Sequence, residues 1–140
     1  MITLLLNFYI FKYIIKIRII VRRWTEIATI EEINEFLIDV KLLITQGKVD
    51  FIPRPKNNLS KLGINIKIAK EIIVNLTYKN YYKGPKEDDN PMFGGFIWEF
   101  GNNEETYQIY IKVKIKETSR GKLLSIMGFH KADFPIEYRY

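Results

Sequence analysis

Tyr107–Lys116, YQIYIKVKIK, constrains this chain more than any other stretch. Tyr107, Ile109, Ile111, Val113 and Ile115 fall on one side of a strand, and Gln108, Tyr110, Lys112, Lys114 and Lys116 on the other. Strict alternation over ten residues rich in β-branched types predicts a strand with one face in a core. The other face then carries a tyrosine and three ammonium groups about 6.5–7 Å apart, close to the phosphate spacing of an extended single strand. A solvated outer face gives the same pattern. What separates the two readings is which side chains join it.

Around that strand the order is helix, helix, then strands. Thr29 and Glu32 form a capping box, and Ile33, Phe36, Leu37, Val40 and Ile44 recur at helical spacing up to Gly47. Phe51–Pro55 reads as a short extended piece, since proline restricts the residue before it. Asn58 starts a short helical turn that Gly63 closes. From about Asn65 a second amphipathic helix buries Ile68, Ala69, Ile72, Ile73 and Leu76. Leu76–Pro85 leaves it through a polar turn, and a charged loop follows. Strands are expected over Phe96–Phe100, Tyr107–Lys116 and Leu123–His130, the last two joined by the hairpin loop Ser119–Lys122. This order predicts an α+β domain: an antiparallel sheet of three to four strands with two main helices packed on one face.

Charge divides the chain. Residues 1–24 carry Lys12, Lys16, Arg18, Arg22 and Arg23 and no acid, so of 22 basic and 16 acidic groups the remainder holds 17 and 16. The body is therefore nearly neutral, and phosphate binding there needs local clustering. Residues 1–26 are read as an extension and 27–140 as a single domain. Ile2–Phe11 is almost wholly apolar, but Lys12 interrupts it too early for a membrane span, so no stable insertion is expected. The charges also follow the apolar run, the reverse of a secretory signal. Neither helical nor strand periodicity runs cleanly through the segment. It reads as a membrane-surface anchor, as an extra strand, or as sequence outside the functional domain, the reading we favour. The chain has no cysteine and one histidine, which excludes disulfides and thiolate or multi-histidine metal sites within one chain. That fits a cytoplasmic protein.

Simple hairpin register brings Glu99, Tyr110, Lys112 and His130 together on the sheet, with Lys83 arriving from the preceding loop. This set suits cleavage of an RNA phosphodiester by its own 2′-hydroxyl. His130 and Glu99 would carry protons, Lys83 and Lys112 would hold the charge developing on phosphate, and Tyr110 would donate a hydrogen bond or stack on a base. The scheme calls for no metal and no cofactor. Each residue also has a structural reading: a capped surface histidine, an exposed glutamate on an amphipathic strand, tyrosines 81 and 82 as packing.

The chain resembles the MqsR-like toxins of bacterial toxin–antitoxin systems, relatives of the RelE-type ribonucleases. The likeness runs from about Ile30 to the C-terminus and rests on FIPR (Phe51–Arg54), LTYKNYYKGP (Leu76–Pro85), IWEFG (Ile97–Gly101), IYIKVKI (Ile109–Ile115) and FHKADFPIEY (Phe129–Tyr138). It implies a RelE-like fold and an mRNA interferase neutralised by a cognate antitoxin protein from the adjacent gene. A helix-turn-helix pattern, with or without a paired-cysteine zinc site, would mark that partner. By position, Lys83, Glu99, Tyr110 and His130 take the active-site places, with Glu99 where the founding member has an amide and His130 where it has a lysine. Tyr82, Arg54, Lys112 and Lys114 complete the expected RNA-binding set. A non-catalytic RNA- or protein-binding module on the same face is the alternative, as is membrane association through residues 1–24.

Overall fold

A computed structural model describes residues 2–25, 27–90 and 92–140. The elements in chain order are α1 (Ile2–Thr25), α2 (Ile30–Thr45), β1 (Val49–Phe51), α3 (Ile66–Val74), β2 (Tyr81–Lys86), β3 (Ile97–Asn103), β4 (Gln108–Thr118) and β5 (Gly121–Lys131). Short 3₁₀ turns at Leu59–Leu62 and Tyr78–Asn80 flank α3. The class is α+β, as the sequence order indicates.

Local signals placed α2 and α3 well. Thr29 and Glu32 exchange the two hydrogen bonds of the capping box, and Gly47 takes a φ of 70° just past the end of α2. Asn65 caps α3 by accepting from the Ile68 amide. The core-facing stripe of α2 is Ile33, Leu37, Val40 and Leu43, all buried, with Phe36 stacked 4.5 Å from Trp98. In α3 the buried positions are Ala69 and Ile73; Ile68, expected inside, is exposed because α3 touches the core along a narrower stripe.

The sheet corrects the expectation of three to four antiparallel strands. Among the described residues it has five, in the order β1-β5-β4-β3-β2, and it is mixed. The β2–β3–β4–β5 part is antiparallel, while β1 runs parallel to β5 with Phe51 opposite Ile126. Of the piece read as extended, Phe51–Pro55, only Phe51 belongs to β1, which is an edge strand. It continues the ladder until Ile52 donates to the Ile126 carbonyl, after which the Asn57 side chain takes over. Asn57 donates to the Ile52 and Met127 carbonyls and accepts from the Phe129 amide. On the other side, the second half of the segment read as a turn, Leu76–Pro85, belongs to β2. Gly84 is required there: a Cβ would lie 2.6 Å from the Ile97 carbonyl oxygen, and its φ is 110°.

Residues 2–25 form a third helix, α1, so the extra-strand reading fails. No glycine or proline occurs before Gly47 to break it. Its apolar residues surround the helix instead of forming a stripe, which is why no period stood out. Among the described residues no helix is long and apolar enough to cross a membrane. The packed body begins at Ile27, which bridges Gly84. Ala28 is buried beside it: its amide donates to the Tyr81 hydroxyl and its carbonyl accepts from Tyr140.

Candidate active site

Helices α2 and α3 cover one face of the sheet, over a core of Trp98, Phe100, Ile109, Ile111, Val113, Ile126 and Phe129. Pleating sends the alternate residues to the other face. There, Glu99 pairs with Lys112 and Lys83, and Tyr110 with Gly101 and His130. A bulge at Met127 shifts the register between Lys112 and Val113, so that β5 presents Gly128 and His130 beside Lys112 and Tyr110.

Two segments frame this open face. The C-terminal tail crosses its lower end, where the Ile136 amide donates to Gln108 Oε1 and Tyr138 donates to Asn103. Gly101 makes the crossing fit, since a Cβ there would come within 2.7 Å of Ile136 and 2.8 Å of the Tyr138 hydroxyl. The loop between β2 and β3 closes the upper end, with Asp88 bound to Lys114 and Phe93 accepting from the Glu117 amide.

Between the two lies a connected set. The Tyr110 hydroxyl donates to Glu99 Oε1. Glu99 is buried, and its second oxygen accepts no hydrogen bond but lies 3.4 Å from Lys86 Nζ. Burial first, then the hydrogen bond to Glu99 and its negative charge, push the Tyr110 phenol far above the ordinary range. It is therefore a neutral donor at every physiological pH and cannot be a base. The His130 ring stands 5.2 Å from the Tyr110 ring, tilted by 35°. Its Nδ1 is 2.8 Å from the Lys131 carbonyl, an acceptor only, so in the neutral imidazole Nδ1 carries the hydrogen and Nε2 keeps a lone pair. Gly128 leaves room for this arrangement, because a Cβ would press on Lys112 at 3.1 Å and on the Tyr110 ring at 3.3 Å.

Lys83, Glu99, Tyr110, Lys112 and His130 thus share one face, with Tyr82 at its margin, its ring 4.9 Å beneath Lys83 Nζ. Arg54 is exposed in the loop after β1, which borders β5. Lys114 corrects the idea of an open lysine row. It is 1% exposed, and its ammonium is 2.8 Å from Asp88, so it is a buried structural ion and no RNA contact. Lys116 is drawn to Asp50 at 3.7 Å. Of that row only Lys112 is half-exposed and without an ion pair. Sequence reasoning missed Lys86, which balances Glu99, and Asp88, which claims Lys114; both lie in a segment with no periodicity to place them. Among the described residues no group of three or more His, Asp or Glu is arranged to hold a metal ion. In comparisons with protein-family models, curated proteins and solved structures, nothing matches this chain.

Proposed function

We propose that this protein is an mRNA interferase toxin of the MqsR-like, RelE-related kind, cutting single-stranded RNA in the cytoplasm without a metal and held in check by a cognate antitoxin. The observation that carries the reading is the register pairing of Tyr110 with His130, with Lys112 two residues along on the same face. An imidazole with a free lone pair, an aromatic platform and an unpaired cation are what transesterification at phosphate needs.

In this reading a base stacks against the Tyr110 and His130 rings, which sets the ribose beside His130. His130 Nε2 takes the 2′-hydroxyl proton, and the 2′-oxygen attacks phosphorus. Lys112 and Lys83 offset the charge on the non-bridging oxygens. The P–O5′ bond then breaks, and the 5′-oxygen takes its proton from the Lys112 ammonium. The products are a 2′,3′-cyclic phosphate and a 5′-hydroxyl. Glu99 is a positioning residue here: being buried and committed to Tyr110, it holds the phenol in place and does not reach substrate.

Incubation with unstructured RNA in excess chelator tests this. Cleavage with cyclic-phosphate ends is expected, falling about 10²–10⁴-fold in His130→Ala. Undiminished cleavage in the His130→Ala, Lys83→Ala double variant would refute the site. One observation favours a second reading, a non-catalytic RNA-binding module: with Glu99 occupied by Tyr110, the cluster of Lys83, Glu99, Tyr110, Lys112 and His130 keeps one ready proton acceptor, His130. That module would bind RNA with salt-sensitive affinity and never yield a product.

A further inference from the structure

We propose that α1 seats the protein on an anionic lipid surface, with its uncharged turns embedded in one leaflet. Of the sixteen residues from Ile2 to Ile17, twelve are large apolar side chains, and each is at least 41% exposed. They are not confined to one side. Phe8, Tyr9, Ile10 and Phe11 alone step round about 300° of the helix, at roughly 100° per residue. A helix made to lie in a protein groove, or to pair with a second copy, carries one apolar stripe and a polar back. This one has no polar back, so its complement is a medium that is apolar in all directions.

Charge selects which medium. Lys12, Lys16, Arg18, Arg22 and Arg23 give α1 five cations and no acid, so two copies side by side repel, whereas an anionic headgroup layer attracts. Length selects the depth. The uncharged run Ile2–Phe11 rises about 15 Å, half of a hydrocarbon core about 30 Å thick. Lys12, whose ammonium lies 4.6 Å over the Phe8 ring, then marks the level where the long cationic stems reach back to the headgroups. Beyond α1 the chain enters the packed body at Ile27, so the sheet domain is carried directly behind the anchor. This inference is independent of the ribonuclease reading.

Flotation of the full-length protein with vesicles of phosphatidylcholine, with or without phosphatidylglycerol, tests it. The protein should float with phosphatidylglycerol-containing vesicles, and weakly or not at all with neutral ones. Leu6→Glu combined with Ile10→Glu should lower the bound fraction at least about tenfold, since each places a charge in hydrocarbon. Light scattering on the same samples reports self-association. The proposal is overturned if wild type stays at the bottom of the gradient with anionic vesicles. It is equally overturned if the double variant binds like wild type, which would make the contact purely electrostatic. Stable oligomers that dissolve in the variant, without lipid binding, would assign α1 to a second copy instead.

Discussion

Asp88→Asn is the most informative single change to the scaffold. Lys114 points from the middle of the sheet into the cover formed by the loop after β2, 1% exposed, with Nζ 2.8 Å from Asp88 Oδ2. The asparagine keeps the shape but removes the countercharge, leaving an ammonium ion buried and unpaired. Breaking a buried pair in this way costs about 3–5 kcal/mol, a large part of the roughly 5–15 kcal/mol that holds a domain folded. Lys114→Met should behave differently. The thioether fills the volume of the lysine stem, and the abandoned Asp88 side chain, 16% exposed on a loop, can turn to water. A loss nearer 1 kcal/mol is expected on that side. Urea unfolding at pH 7 measures both. Equal losses for the two variants, or a loss below about 1 kcal/mol for Asp88→Asn, would refute the claim that Lys114 is a buried ion. Acid adds a second check. The hydrogen bond from Lys114 holds the Asp88 carboxyl below its ordinary range, so the unfolded chain binds that proton first. Stability from this pair is present above an unfolded value of about 3.9 and is lost as pH falls through the lower folded value. Asp88→Asn should flatten that part of the acid limb.

Tyr110→Phe leaves a buried carboxylate without its donor and should cost about 1.5–3 kcal/mol in the same assay, with Glu99→Gln in Tyr110→Phe restoring part of it. Because the Tyr110 phenol is raised, the unfolded chain loses that proton first; stability should be level below about pH 10 and fall above it, a slope that Tyr110→Phe reduces in an alkaline titration. Asn57→Ala, which strips three hydrogen bonds from the junction of β1 and β5, should cost about 1–3 kcal/mol by urea unfolding. Gly101→Val should displace the C-terminal tail from the lower end of the open face, read as faster amide exchange at Ile136 and Tyr138. On the functional reading, Lys112→Met should weaken RNA binding several-fold in a filter assay, while Lys114→Met, if folded, leaves it unchanged.

The elements governed by neighbouring residues were legible in the chain. The Thr29 and Glu32 box, the Gly47 and Gly63 stops and the alternation of β4 are all local chemistry, and each stands where the pattern put it. The β3–β4–β5 hairpins followed because short loops leave antiparallel neighbours little choice. From that register, the grouping of Glu99, Tyr110, Lys112 and His130 is legible in the sequence alone. Long-range pairing was not legible. Three residues, Val49–Phe51, are too few to announce a strand, and their parallel partner lies beyond α3 and three other strands. Lys114 shows the same limit from the other side. Alternation places it on a face correctly, but whether that face meets water depends on where a patternless loop settles, and this one brings Asp88 down on it. For α1, the all-round apolar composition erased the period by which a helix is usually recognised.

The two margins of the sheet carry a consequence for recognition. Along one, β1 stops after three residues and yields to Pro53 and Pro55, while the Asn57 amide occupies the next free backbone groups of β5. Along the other, Ile27 bridges Gly84, and Pro85 has no N–H to offer. Among the described residues each rim is thus short or interrupted, a form that works against the addition of a long foreign strand. The same interruptions work against edge-to-edge stacking of copies of the chain.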